Sequence, residues 1–267
     1  MIYIFSAIFL YIFFGFLLYI FQRRILFNKS GHPGAPKEYN LYSTTEIQIV
    51  TDDNLSLLSW FHLGNKTLPL LIYFHGNSFS IADRAYRIKR YIDQNWSVLL
   101  VSWRGFGGNK GNPTEKNLYK DGESVLRWIS KNTNFSKDQI VIYGESLGSG
   151  VAVELGIKYN FLSVVLEAPF TSIPEIAKNR YKIYPTKYLV KDKFDNFSKI
   201  DKIKSPLLIV SGKNDEVVPH FHSKLLLEKA VNLKESLFVD EAMHNNLYDF
   251  GIEKTVINFS LKIWKLI

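Results

Sequence analysis

A serine between glycines, an aspartate and a histidine occur in this chain in an order that acyl transfer can use. Ser146 lies in Gly144-Glu145-Ser146-Leu147-Gly148, after the apolar run 140–143 and before Ser149-Gly150-Val151-Ala152. That pattern predicts a strand, a sharp turn and a helix start. The small flanking residues let strand and helix approach, and the hydroxyl is left at the positive end of a helix. A serine hydroxyl is a weak nucleophile; it needs a base, and the base needs an acid to orient it. Asp215 follows the apolar run 207–210 and His244 follows the run 236–239, both in loops at predicted strand C-terminal ends. Glu216 is the alternative acid, with Asp215 better placed for a turn directly after the strand. Among histidines beyond Ser146, only His244 follows a strand end.

The segment His75-Gly76-Asn77-Ser78 follows another apolar run. A glycine there lets the loop turn toward the nucleophile, so the backbone N–H groups of Asn77 and Leu147 are the expected donors to a tetrahedral oxyanion. His75 is expected to hold this loop by hydrogen bonds rather than to react. Trp103-Arg104-Gly105-Phe106-Gly107-Gly108 is glycine-rich at a strand end, but no phosphate-loop lysine follows. It reads as a shaped loop with Arg104 as a buttress. His220 and His222 have no third ligand nearby and are expected at the surface, and His32 and His62 have no evident partners. No metal or cofactor is expected.

These residues need a scaffold that brings strand ends together. Predicted strands run 46–51, 55–61, 68–74, 98–102, 140–143, 163–167, 207–211 and 236–239. The first two are joined by Asp52-Asp53-Asn54 as a hairpin turn. The later runs are short and continuously apolar, as strands buried on both sheet faces require. Helical patterns at 80–94, 115–131, 147–159, 221–230 and 246–267 alternate with them, giving one doubly wound α/β domain. Residues 171–203 break the rhythm with five aromatics and two prolines. They read as a small cap over the site, an elaborated crossover being the alternative.

The chain has 267 residues, 46% of them hydrophobic, enough for a sizeable core. It has no cysteine, which excludes disulfides, thiolate metal sites and cysteine nucleophiles. The net charge of +8 comes from scattered lysines without a basic block, so it reads as an ordinary solvated surface rather than a nucleic-acid site.

Residues 1–21 carry no charge and are almost wholly Ile, Leu, Phe and Tyr. About 20 apolar residues at 1.5 Å rise cover the roughly 30 Å hydrocarbon core of a bilayer. The basic start and small-residue cleavage site of a secretory signal are missing. The expectation is a single uncleaved anchor over 1–22, a juxtamembrane linker over 23–44 and the α/β domain over 45–267. Arg23, Arg24, Lys29 and Lys37 follow the anchor and no basic residue precedes it, which puts the domain on the cytoplasmic side.

Taken together, several segments resemble the α/β-hydrolase superfamily, and within it the membrane-anchored serine hydrolases similar to serine aminopeptidases, monoacylglycerol lipases and protein depalmitoylases. They are Gln22-Arg23-Arg24-Ile25-Leu26-Phe27, Tyr73-Phe74-His75-Gly76-Asn77, Arg104-Gly105-Phe106-Gly107, the serine segment, Glu167-Ala168-Pro169-Phe170-Thr171-Ser172, Asp215-Glu216-Val217-Val218-Pro219 and His244-Asn245. The resemblance implies an α/β-hydrolase fold with a mostly parallel sheet of about eight strands, a Ser146–His244–Asp215 triad, and oxyanion donors at Asn77 and Leu147. The leading expectation is hydrolysis of carboxylic esters or thioesters, and the anchor with its aromatic cap points to lipids or acylated proteins as substrates. A peptidase using the same triad and a non-catalytic scaffold are the competing readings. Glu145 and Met243 depart from the usual pattern and are expected to change the pocket's shape. The oligomeric state is left open.

Overall fold

The computed structural model describes residues 2–29 and 31–266. The apolar runs become a single sheet of eight strands: β2 Thr44–Val50, β3 Ser56–His62, β4 Leu70–Phe74, β6 Ser97–Val101, β7 Ile140–Glu145, β8 Ser163–Glu167, β9 Leu207–Gly212 and β10 Lys234–Val239. Their spatial order is β10-β9-β8-β7-β4-β6-β3-β2. The β2–β3 hairpin and the β3–β6 pairing are antiparallel, and the pairings from β6 through β10 are parallel. A tiny separate parallel pair joins β1 Asn28–Lys29 to β5 Ser78–Phe79.

The parallel strands are apolar on both sides because both sides are covered. In β4, Leu70, Ile72 and Phe74 enter one core while Leu71 and Tyr73 enter the other; in β7, Ile140 and Ile142 oppose Val141 and Tyr143. The first core is closed by α3 Glu115–Asn132, α4 Leu147–Lys158 and α7 Phe221–Lys229. The second is closed by α2 Ala85–Ile92 and α8 Ile252–Trp264. Chain order reverses at β4, between β6 and β7, and ligands of such sheets sit outside the strand C-termini at that point.

Two predicted helices are interrupted. The 80–94 segment opens with a 3-10 turn, Ile81–Arg84, where the Ser80 N–H donates to Asp83 and the Ser80 hydroxyl caps Ala82. The 246–267 segment divides at Gly251, whose φ of 70° ends the 3-10 turn Leu247–Phe250 before α8 starts. The stretch 23–44, expected as a linker, is packed against the domain. Phe27 and Leu41 are 2% exposed, Pro33 and Pro36 are buried, and β1 pairs with the loop after β4.

The anchor segment is one helix, α1 Ile2–Leu26, long and apolar enough to cross a membrane. It lies beside the 171–203 segment, which forms α5 Ile173–Arg180 and the short α6 Thr186–Leu189. Tyr11 stacks on Tyr184 at 4.9 Å, and the Arg23 guanidinium forms two hydrogen bonds to the Asp192 carboxylate at 2.7 and 3.2 Å.

Candidate active site

Ser146 stands between β7 and α4 with φ 48° and ψ −111°, a conformation an L-residue holds only when its surroundings force it. Two hydrogen bonds and the close approach of strand to helix do so. The Ser146 N–H donates to the Glu167 carbonyl at 2.8 Å, and its own carbonyl accepts from Ser149 N–H at 2.9 Å. The flanking glycines are obligatory: a Cβ on Gly148 would lie 2.0 Å from the Phe74 carbonyl oxygen, and one on Gly144 would lie 2.6 Å from that of Gly148. Strand and helix thus meet at backbone contact, and the serine is pushed out at the sheet edge.

The structure brings all three residues together. The Ser146 hydroxyl is 3.1 Å from His244 Nε2, and His244 Nδ1 is 2.7 Å from Asp215 Oδ2. Nδ1 carrying the proton toward the carboxylate leaves the Nε2 lone pair to accept from serine. The second Asp215 oxygen accepts from the N–H groups of Val217 and Val218 at 2.9 and 2.8 Å, which fixes the carboxylate in the turn after β9. Glu216, the other candidate acid, is exposed at the cavity rim. The two loops are tied by the Asn214 N–H donating to the Ala242 carbonyl at 3.1 Å, and Arg87 of α2 holds the histidine loop by donating to the Asn245 carbonyl at 3.1 Å.

Asn77 and Leu147 both border the cavity that opens at Ser146. Leu147 is the first residue of α4, so its N–H has no partner within the helix. Asn77 is fixed from outside the domain core. Its carbonyl accepts from the Asn28 N–H at 3.0 Å and its side-chain amide donates to the Leu26 carbonyl at 3.0 Å. Both expected donors thus border the same cavity as the Ser146 hydroxyl.

Beneath the turn lies a charged cluster that sequence reading did not anticipate. The Glu145 carboxylate takes two hydrogen bonds from Arg84, at 2.7 and 3.0 Å, and one from the Tyr73 hydroxyl at 2.9 Å. Arg87 bonds Glu167 at 3.0 Å, and Glu167 also accepts from Tyr143 at 2.7 Å. All four charged side chains are at most 7% exposed. Burial alone would raise the Glu145 pKa; the Arg84 and Arg87 guanidiniums outweigh it and hold the acid well below the usual carboxylate range. Glu145 therefore points into this cluster and not into the pocket. Neither it nor Met243 lines the cavity among the described residues. The available signal was a pair of arginines at i, i+3 beside two glutamates at the ends of adjacent apolar runs.

Three further expectations change. His75 holds its loop without ring hydrogen bonds: both ring nitrogens are buried without partners among the described residues, and the ring packs on Trp103 and Phe106. Its carbonyl accepts from Trp103 Nε1 at 3.0 Å, and burial presses its pKa down to about 3. His222 is fully buried rather than on the surface, with Nδ1 2.8 Å from the Thr171 hydroxyl, because α7 turns that face toward the core. His62 is also buried, with Nδ1 3.1 Å from the Ser43 hydroxyl. Arg104 is the expected buttress, bonding Asp121 at 2.6 Å and Asp53 at 2.7 Å. No group of three His, Cys, Asp or Glu side chains placed to hold a metal occurs among the described residues.

The cavity itself measures about 560 Å³, within the range of small-molecule sites. Its floor is Ser146, Leu147 and Asn77; its roof comes from α1, α5 and α6. Residues between Ile173 and Asp192 therefore line the same cavity as the serine.

No family model matches this sequence. An uncharacterized Mycobacterium tuberculosis protein is 30% identical over 227 residues, 84% of this chain and 81% of that protein. The human alpha/beta hydrolase domain-containing protein 17B is 33% identical over 184 residues, 68% of this chain; the match spans 62% of the human protein's length. Among solved structures, the Pyrococcus furiosus esterase Pf2001 superposes with a TM-score of 0.72 at 22% identity, covering 90% of this chain and 98% of that one. An acetyl xylan esterase from Paenibacillus superposes with a TM-score of 0.67 at 16% identity, covering 84% and 86%.

Proposed function

The chain belongs to the α/β-hydrolase superfamily, and from that premise we propose that it is a serine hydrolase of carboxylic esters or thioesters, held at a membrane by α1. The observation that carries this reading is the Ser146–His244–Asp215 relay, at 3.1 and 2.7 Å, opening into an apolar-roofed cavity. Esterases among the structural neighbours support it.

In this reading Ser146 Oγ attacks the substrate carbonyl carbon while its proton passes to His244 Nε2. The oxyanion accepts from the Asn77 and Leu147 N–H groups. Collapse expels the alkoxide or thiolate, which takes the proton from His244. Water then attacks the acyl-enzyme with His244 again as base, releasing the carboxylic acid and restoring Ser146. Asp215 orients the imidazole throughout and balances its transient charge.

Residues 1–22 act as the anchor, 45–267 as the hydrolase domain and 171–203 as its cap. Permanent retention of α1 is supported by its bonds to the domain: the Tyr11 hydroxyl donates to the Ile183 carbonyl, and the Lys191 N–H donates to the Gln22 side chain. A cleaved leader would take these away. The basic residues that follow the uncharged stretch, Arg23, Arg24, Lys29 and Lys37, support a cytoplasmic domain, and a C-terminal reporter active only after export would overturn that orientation. For the chemistry, a fluorophosphonate should label the full-length protein at Ser146 and leave Ser146→Ala unlabelled. Folded protein that resists labelling would end the proposal.

A further inference from the structure

The hydrolase reading leaves open what the acyl part of the substrate touches, and the cavity's roof answers that. Six residues of α1 line the cavity: Gly15, Leu18, Tyr19, Gln22, Ile25 and Leu26. Their spacing puts them on one helix face. Across from them stand Ile173 and Ile176 of α5 and Val190, so most of this end of the cavity is hydrocarbon. Toward the helix N-terminus the same face continues into an open groove against Tyr184, Pro185 and Leu189, which shares Gly15 and Tyr19 with the cavity. From Leu26 to Gly15 the helix advances about 16 Å.

The uncharged part of α1 reaches Phe21, and the cap touches the helix as far up as Tyr11. Ile183 and Tyr188 there are 70% and 80% exposed and stand beside the exposed Lys182 and Lys187, a mixture that suits the headgroup boundary, where lysine stems lie along hydrocarbon and their ammoniums reach water. The bonding there suits such a boundary. The Tyr11 hydroxyl donates to the Ile183 carbonyl at 2.9 Å and the Tyr184 hydroxyl to the Tyr11 carbonyl at 3.0 Å, so neither is left unpaired in hydrocarbon. Gly15 permits the approach: a Cβ there would lie 2.8 Å from the Tyr184 ring. Lys191 places its ammonium 3.9 Å from the centre of the Tyr19 ring, nearer the headgroup end.

Resting on the hydrolase reading, we propose that the membrane helix is itself the wall of the acyl subsite. A long acyl chain enters sideways from the bilayer along the Tyr11–Leu26 face of α1, and its length is measured against that helix. The substrate class is a membrane-borne ester or thioester with a long aliphatic acyl group.

The test uses the full chain in phosphatidylcholine vesicles and a long-chain alkyl fluorophosphonate carrying a diazirine at the far end of its tail. After irradiation and digestion, the tail is expected to be crosslinked to α1 between Tyr11 and Tyr19. Labelling of Ser146 with crosslinks confined to residues outside α1 would overturn the proposal while leaving the hydrolase intact. Absence of labelling at Ser146 would remove the hydrolase reading and this proposal with it. As an independent check, Leu18→Trp should lower the ratio of kcat/KM for p-nitrophenyl palmitate over p-nitrophenyl butyrate by roughly tenfold, the effect of excluding a few buried methylenes. Ile20→Trp, on the opposite and exposed side of the helix, should keep the wild-type ratio. An equal fall of the ratio in both variants would also overturn the proposal.

Discussion

The floor and the roof of the cavity are built on opposite terms. The floor is the sheet's C-terminal edge: a strained serine on two obligatory glycines, above four buried charges in mutual contact. The roof is an exposed apolar helix and a short cap joined by a tyrosine stack and a few surface bonds. The floor can hold reacting atoms in place because every part of it is over-determined. The roof can adjust its shape because little in it is. Buried charge clusters of this kind add little net stability compared with an apolar core, yet losing one member leaves its partners unpaired in a low dielectric. Such a floor tolerates no partial version of itself.

Four measurements separate the two regions. The largest effect belongs to His244→Ala, for which kcat/KM on a short ester is expected to fall by roughly 10⁴-fold or more. Its melting temperature should stay close to wild type, since the imidazole is only partly buried. A fall of less than tenfold would detach chemistry from this floor.

Next, Arg87→Leu should destabilise the protein by about 3–5 kcal/mol in chemical denaturation, because Glu167 and Glu145 lose a shared partner inside the domain. An effect under about 1 kcal/mol would mean that the floor is not over-determined.

Acid should then find the floor before the roof. Burial lowers His75 to about 3 and His222 to about 4, from 6.5. In the window between 6.5 and those values the unfolded chain binds more protons than the folded one, so stability falls as pH drops through it and is flat above. Glu145, held below its ordinary value, adds a loss of the same sign below 4.5. Denaturation midpoints across this range should decline toward acid, and His222→Gln should make the decline shallower. A midpoint independent of pH between 7 and 4 would contradict the buried neutral histidines.

The smallest effect is expected from the roof. Tyr184→Ala removes one stacked pair and should cost no more than about 1.5 kcal/mol, with short-ester turnover within a few fold of wild type. Loss of short-ester turnover would show that roof and floor are one unit.

Much of this was legible before the fold. All eight strands of the main sheet were marked in the sequence, the inner ones by continuous apolar runs, the trace that burial on both faces leaves, and the half-exposed edge strands β2 and β10 by shorter apolar stretches between turn residues. Ser146, Asp215 and His244 were legible because strand, turn and residue type coincide at each. Asn77 was found through the glycine before it. The charged cluster was not, because Arg84, Arg87, Glu145 and Glu167 read as solvated residues until four separate elements bring them together. His222 was misplaced because a short helix start does not reveal which way it faces. Residues 23–44 looked like a tether because proline and glycine mark irregular backbone, and irregular backbone can be as firmly packed as a strand.

The two-residue ladder between β1 and β5 bears on how this protein can be handled. The last residue of α1 and the first of β1 hold Asn77 through the Leu26 carbonyl and the Asn28 N–H. Trimming the chain at the membrane boundary to obtain a soluble form therefore removes part of the frame of the loop facing Ser146. A cut after Phe21 keeps that frame; a cut after Asn28 discards it. Where the uncharged apolar stretch ends, at Phe21, and where the packed domain begins are two different positions in this sequence.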